Sequence, residues 1–270
     1  EFSKRLSDKL NEGLEKQKNK EEKKKEQEIK KIIRKIDNDF KPRLEKYNKD
    51  LEIIGENRNS YSKTDRDATF MHMKEDHMRN GQLKPGYNIQ VGSCNGFVVN
   101  WSTHQNRNDN GTLIPHLERY ERFFNKLPES IGADSGYGNQ ENYEYLKEKH
   151  IKNYIKYPLF HKEQTKKFRT MKYNWQNMEY DEINDKFTCP EGKKLEYVKT
   201  RYDKTETGFI QENRVYECSD CSNCTHKSEC TKAQGNRQIR FNKKLWQLKN
   251  VARRNIMSEK GIEMRGNSAE

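Results

Sequence analysis

Two sets of side chains in this sequence have the types and spacing to do chemistry: a cluster of cysteines and a few carboxylates set among glycines. Cys218, Cys221, Cys224 and Cys230 stand as C-x2-C-x2-C-x5-C, and Cys189 opens the knuckle-like turn Cys189-Pro190-Glu191-Gly192. A structural zinc takes four ligands in a tetrahedron, and short spacings let one turn supply two thiolates. Four of these five cysteines suffice, with His226 as a spare. An iron–sulfur cluster or unligated thiols are the alternatives. Nothing in the spacing leaves an open coordination position, so a catalytic zinc is not favoured. Cys94, the sixth, falls on a turn and reads as an ordinary thiol.

Among the carboxylates, Asp134 follows Ile131-Gly132-Ala133 and precedes Ser135-Gly136-Tyr137-Gly138-Asn139. An acid at the end of a short strand with glycines behind it can point into an open cleft. Two-metal phosphoryl transfer needs about three such acids. The other reading is a helix cap for the segment that follows, and the residues alone do not choose between them. Asp65 and Asp67, two apart in Thr64-Asp65-Arg66-Asp67, read better as a capped turn than as metal ligands. His72, His77, His104, His116, His150 and His161 show no tight ligand spacing. No G-x-S-x-G, Walker A or G-x-G-x-x-G pattern is present, which leaves hydrolase triads and nucleotide-binding loops unsupported.

The elements that must position these groups follow from periodicity. Leu6, Leu10 and Leu14, then Ile29, Ile32, Ile33, Ile36 and Phe40, mark two amphipathic helices bridged by the polar stretch from Glu15 to Lys25. Pro42 should end or kink the second, after which Leu44, Tyr47 and Leu51 resume an apolar face. This charged segment reads as a solvated helical hairpin, with a DNA-contacting arm as the other reading. Residues 86–92 and 97–103 alternate like strands around the turn residues 93–96, a β-hairpin. Leu113 to Phe124 reads as a helix broken by Pro128, residues 130–134 as a short strand, residues 139–150 as a helix and residues 151–157 as a second short strand. The order β-β-α-β-α-β implies a mixed α/β sheet with flanking helices. Short strand-like runs and most of the cysteines fill residues 160–240, and a last helix starts at Lys243.

Composition bounds the partner. Lysine and arginine number 54 against 42 acids, a net charge of +12 over 270 residues, and only 30% of residues are hydrophobic. So basic a chain favours a polyanion, with nucleic acid ahead of an acidic membrane surface. No run of 18 apolar residues and no signal peptide is seen, so no membrane role and a cytoplasmic location are expected, where disulfides are rare. The first residue is glutamate, which suggests a processed product or a piece of a longer frame.

Several blocks in order resemble DDE-type transposases of bacterial insertion sequences. They are residues 60–71, Met73-Lys74-Glu75-Asp76-His77-Met78, Gly81 to Asn88, Leu113 to Glu118, Ala133-Asp134-Ser135-Gly136-Tyr137-Gly138, Tyr216 to Cys230 and Gly235-Asn236-Arg237-Gln238. The resemblance runs from about residue 40 onward. It implies an RNase H-like fold, Asp134 as second acid of the catalytic set and a ligand of magnesium, and a zinc-binding cysteine insertion ahead of a glutamate-bearing helix. Two magnesium ions in the complete site, DNA carrying the inverted-repeat ends of the element, a homodimer and a nucleoid-associated location go with it. The family's first acid lies in Asp-Gly-Thr, which this chain lacks, and its glutamate precedes Phe-Gly. Residues 257–265 match the lead-in to that glutamate, and Glu270 is the nearest candidate. The expected division is residues 1–58 as the charged helical segment, 59–160 as a partial RNase H-like core, 161–240 as the insertion and 241–270 as the start of the core's C-terminal helix. With one acid of three placed, the polypeptide alone is expected to be inactive or nearly so. A zinc-stabilised DNA-binding module without catalysis and an inactive remnant are the other readings.

Overall fold

The computed structural model describes residues 1–12, 20–56, 58–73, 78 and 80–266. The chain divides into two compact units, Glu1–Gly86 and Tyr87–Glu270.

The first unit holds α1 (Phe2–Glu12), α2 (Lys20–Lys35), α3 (Lys41–Ile54), β1 (Thr69–His72) and β2 (Leu83–Gly86). A π-helical turn, Ile36–Phe40, joins α2 to α3. The break thus comes before Pro42, which sits in the first turn of α3, where a missing N–H costs nothing. Lys41 fastens this junction, donating to Ser3 at 2.8 Å and to Asp37 at 2.7 Å. α3 stops at Gly55, whose φ of +66° suits only glycine. The apolar stripe read from the sequence is real but uncovered, with Ile32, Phe40, Leu44, Tyr47 and Leu51 all exposed. Leu14 and residues 15–19 lie outside the described residues.

The second unit opens on the expected hairpin, β3 (Asn88–Cys94) and β4 (Phe97–His104). Asn95 and Gly96 turn it, both at positive φ, as a two-residue hairpin loop requires. α4 (Leu113–Phe124) buries Leu113, His116 and Leu117, one face at helical spacing. β5 (Ser130–Ile131) and β6 (Lys152–Asn153) pair in parallel around α5 (Gln140–Glu148), which Asn139 caps by accepting from the Asn142 N–H at 2.9 Å. The strand expected over residues 151–157 is therefore only two residues long. Ile151, Tyr154, Ile155 and Tyr157 are buried without strand alternation. The single mixed sheet is likewise divided: the β3–β4 and β5–β6 pairs are separate two-stranded sheets.

After α6 (Lys166–Arg169) the chain builds a five-stranded antiparallel sheet from β7 (Glu179–Asp181), β8 (Lys186–Thr188), β9 (Lys194–Lys204), β10 (Ile210–Cys218) and β11 (Gln238–Phe241), in the order β11-β10-β9-β8-β7. The short α7 (Lys227–Cys230) lies between its last two strands. α8 (Lys243–Met257), capped by Asn242, and α9 (Glu259–Gly266) follow. α8 presents Leu248, Ala252 and Ile256 to the core formed by α4, α5 and residues 151–160, and Trp246 to the core of the five-stranded sheet.

Candidate functional site

Asp134 lies three residues beyond β5, exposed, at the mouth of a tight loop. Its Oδ1 accepts the Gly136 N–H at 2.7 Å and so caps the turn Ser135–Tyr137, while the cap of α5 belongs to Asn139. Oδ2 has no hydrogen bond among the described residues. Capping thus occupies one oxygen and leaves the other to face outward, so the two readings of Asp134 are compatible.

The two glycines of the loop are unequally constrained. A Cβ on Gly138 would strike the backbone of Lys156 and lie 2.7 Å from Tyr157 Cα. A Cβ on Gly136 would lie 3.1 Å from Asp134 Oδ1 and 3.2 Å from Asp109 Oδ2. Two carboxylates therefore converge over Gly136, and Asp109 is a residue that sequence reasoning missed. The available signal was Asn108-Asp109-Asn110-Gly111, an acidic turn just ahead of α4. Asp109 Oδ1 accepts from Asn88 Nδ2 at 2.8 Å and Gln90 Nε2 at 3.1 Å, tying the hairpin to this turn. The Tyr137 hydroxyl donates to Gln90 Oε1. Burial, followed by the charges of Asp109 and Asp134, pushes the Tyr137 hydroxyl up to about 12, so it remains a donor.

Beneath the hairpin, two histidines without sequence proximity meet. Ser102 Oγ lies 2.7 Å from His104 Nε2 and 2.7 Å from His116 Nδ1, and Asn100 Nδ2 stands 3.2 Å from His116 Nε2. Burial lowers both imidazoles and keeps them neutral. Asp65 belongs to the first unit, where its Oδ1 accepts the Asp67 N–H at 3.1 Å, the capped turn expected of it. Glu270, the other candidate acid, lies outside the described residues, as do Lys74 to His77.

The cysteines gather. Cys189, Cys218, Cys221, Cys224 and Cys230 all line one cavity of about 20 Å³, room for one small ion or water. The turn at Cys189 is closed by the Cys189 N–H to Lys193 O and the Gly192 N–H to Cys189 O, both at 2.8 Å. Arg237 donates its backbone N–H to Cys221 Sγ at 3.4 Å. Burial, then the neighbouring Cys221, pushes the Cys218 thiol up to about 11. His226 does not line the cavity and stacks on Tyr173 instead, at 5.8 Å. Among the described residues no three His, Cys, Asp or Glu side chains are drawn together closely enough to hold a metal as they stand. Cys94 is exposed at the hairpin turn.

No helix among the described residues is long and apolar enough to cross a membrane. No curated protein and no solved structure matches the chain. The family model of the transposase DDE domain matches residues 188–270, from the end of β8 through the cysteine centre and α8, so that Asp134 lies outside the matched segment. Over that segment, which is less than half of the chain, the protein is similar to the transposase DDE domain.

Proposed function

We propose that the chain serves DNA transposition as part of an RNase H-like catalytic core, in which Asp134 is one of the acids that cut and rejoin DNA. The match of residues 188–270 carries this reading. α8, inside the matched segment, packs in the same hydrophobic core as Ile131 and Ala133, which lead into Asp134. A net charge of +12 suits a phosphate backbone.

The residues near Asp134 fit a hard divalent cation in donor type. Asp134 Oδ2 is free of hydrogen bonds among the described residues, and Asp109 Oδ2 is its near neighbour over Gly136. Asp134 would hold magnesium, with Asp109 bracing the hairpin and the loop against each other. Magnesium, as a pair of ions in the complete site, supplies activation of the attacking oxygen and stabilisation of the leaving one. By the resemblance, Glu270 is the nearest candidate for the third acid of the set.

The thiols fit a structural zinc in donor type and would have to draw together on the ion, since as they stand no three of them are close enough to hold it. A soft donor set around a cavity of one-ion size is what that ion requires. Four of Cys189, Cys218, Cys221, Cys224 and Cys230, all of which line the cavity, would hold it. Zinc content should be lost when two of the five are replaced together, as in Cys221→Ser with Cys224→Ser.

The decisive experiment uses a protein that supplies the remaining acids. Asp134→Asn should abolish magnesium-dependent strand cleavage and transfer on DNA bearing the element's ends, while duplex binding persists. Unchanged cleavage would remove Asp134 from the site. The basic charge and the cysteine centre also favour a second reading, a DNA-binding module without chemistry. In that case no divalent-metal dependence should appear, with or without Asp134.

A further inference from the structure

The second unit carries a two-stranded arm whose tip lies beside the turn that holds Asp109. β9 and β10 are 11 and 9 residues long, against three or four for the other strands of their sheet. β8 meets β9 at residues 194–195, and β11 meets β10 at residues 214–217. Among the described residues, 201–204 and 210–213 therefore pair only with each other. We infer that Thr207, at the tip of this arm, is a positioning residue for Asp134, which it serves by pinning the turn Asp109–Gly111 beside the Asp134 loop. This rests on the reading of Asp134 as a magnesium-binding acid.

The arm is built to keep its shape. Asn213 Nδ2 donates to Asp203 Oδ2 across the strands at 2.8 Å. At the tip the Thr205 N–H donates to Phe209 O at 2.9 Å and the Gly208 N–H to Thr205 O at 3.0 Å, with Gly208 at a φ of +87°. Two contacts leave the tip. The Thr207 hydroxyl donates to Glu141 Oε2, in the first turn of α5. Its methyl carbon stands 2.9 Å from where a Cβ on Gly111 would lie. Gly111 is not at positive φ, so glycine there supplies room for Thr207 and not a special backbone conformation.

The rest of the turn is gripped from its other sides. Asp109 takes the amides of Asn88 and Gln90 from the hairpin. Asn110 O accepts Asn139 Nδ2 at 2.9 Å and Asn142 Nδ2 at 3.2 Å, both from the start of α5. Gly111 takes none of these bonds, and Thr207 is the side chain that packs closest to it. With the tip removed, the turn is free to move outward and to carry Asp109 away from Gly136. Asp109 Oδ2 and Asp134 Oδ1 now stand 3.2 and 3.1 Å from one point over that glycine. A divalent cation on Asp134 gains from the second carboxylate at this range and loses that gain as the distance grows.

The test titrates manganese, a paramagnetic substitute for magnesium, into the isotope-labelled 270-residue chain and reads its apparent Kd from broadening of the Gly136 amide resonance. Thr207 is exposed, so its replacement tests the contact and not the fold. Thr207→Ala should weaken manganese binding about fivefold. Gly111→Ala should weaken it as much, because the new methyl group displaces Thr207. Combining Gly111→Ala with Thr207→Ser, which removes the clashing methyl and keeps the hydroxyl, should bring affinity back to within about twofold of the parent. In a protein that supplies the remaining acids, Thr207→Ala should raise the magnesium concentration for half-maximal cleavage and leave kcat at saturating magnesium, and duplex affinity, unchanged. Equal manganese affinity in the parent, Thr207→Ala and Gly111→Ala would overturn the positioning role while the reading of Asp134 stands. A loss in Gly111→Ala that Thr207→Ser does not repair would assign the effect to the turn itself and overturn the role of Thr207. No broadening at Gly136 in the parent chain would overturn the magnesium reading of Asp134 and this inference together.

Discussion

The two hydrophobic cores of the second unit are made of different materials. One packs mainly aliphatic side chains, Leu113, Leu117, Leu146, Ile151, Ile155, Leu248 and Ile256, with Tyr143, Tyr157 and Phe160 among them, between three helices and the segment after β6. The other packs rings on a small sheet: Tyr180, Phe187, Tyr216 and Phe241 lie with centroids 4.6 to 6.5 Å apart, and Cys218 and Cys221 complete the core. Long helices interdigitate over many residues and can close a core unaided. A small sheet in which β7, β8 and β11 run only three or four residues offers less area, and sheets of this kind usually need a staple. The difference teaches where each candidate centre gets its rigidity. The Asp134 loop is held by packing and backbone contact, while the cysteine centre is itself part of what holds the sheet.

The sharpest way to break this contrast is to test the proposed zinc by chelation. Chelation should abolish the near-ultraviolet dichroism of the aromatic sheet while most far-ultraviolet helical signal from α4, α5 and α8 remains. Structural zinc contributes on the order of 10–16 kcal/mol to zinc-finger peptides, enough to decide whether such a sheet folds. An unchanged near-ultraviolet spectrum in metal-free protein would show that the rings suffice. Next in size, Phe241→Ala should cost about 3–5 kcal/mol and Leu146→Ala about 2–5 kcal/mol in urea unfolding. The first should also lower zinc retention, and the second should not. Equal effects on zinc would mean that α8, which serves both cores, couples them into one.

These cores were unequally legible in the sequence. α4 begins and ends where periodicity and Pro128 place it, and the hairpin turns on Asn95-Gly96, because both signals are local. The gathering of five cysteines around one cavity was legible because the spacing of four of them is also local. Asp109 was not, since its meaning depends on Asn88 and Gln90, about twenty residues earlier, and on Asp134, farther along the chain. The division of one expected mixed sheet into separate pairs was equally hidden, because strand neighbours are set by tertiary packing. The contact of Thr207 with Gly111 and Glu141 joins distant parts of the chain, a span no motif covers.

The Asp134 loop gives a smaller test of the same contrast, since its rigidity comes from close backbone approach. Gly138→Ala forces a methyl group against the backbone of Lys156 and Tyr157 and should cost about 1–3 kcal/mol. Gly136→Ala meets only carboxylate oxygens at 3.1 and 3.2 Å, which a modest side-chain rotation relieves. It should leave stability within about 0.5 kcal/mol of the parent. Magnesium affinity should respond in the opposite order, falling more in Gly136→Ala, whose methyl group stands between Asp109 and Asp134. If Gly138→Ala is as stable as the parent, the loop is not clamped against residues 156 and 157 in solution.

The smallest expected effect separates the two cores by pH. His116 is buried under the hairpin, bonded to Ser102 and beside Asn100, with His104 and Arg119 as the charged or titratable groups that face it. Burial, then His104 and Arg119, hold its pKa below the ordinary imidazole value of 6.5. The unfolded chain therefore takes up a proton that the folded chain refuses, so stability is constant above about pH 6.5 and declines as pH falls below it. Carboxylates of the cysteine-rich half act in another window. Asp220, held near 2 by hydrogen bonds from Ser222 and by Lys193, and Asp185, lowered overall by Tyr180, Tyr216 and Arg214 against its own burial, contribute stability that is lost only below about pH 4. Thermal unfolding from pH 7.5 to 3 should then show two declines. His116→Gln should flatten the upper one, because an amide can keep a bond to Ser102 without titrating, and leave the lower one in place. An upper decline that survives in His116→Gln and disappears in His104→Gln would assign it to the outer histidine. Loss of both declines in His116→Gln would mean that the two halves unfold as one.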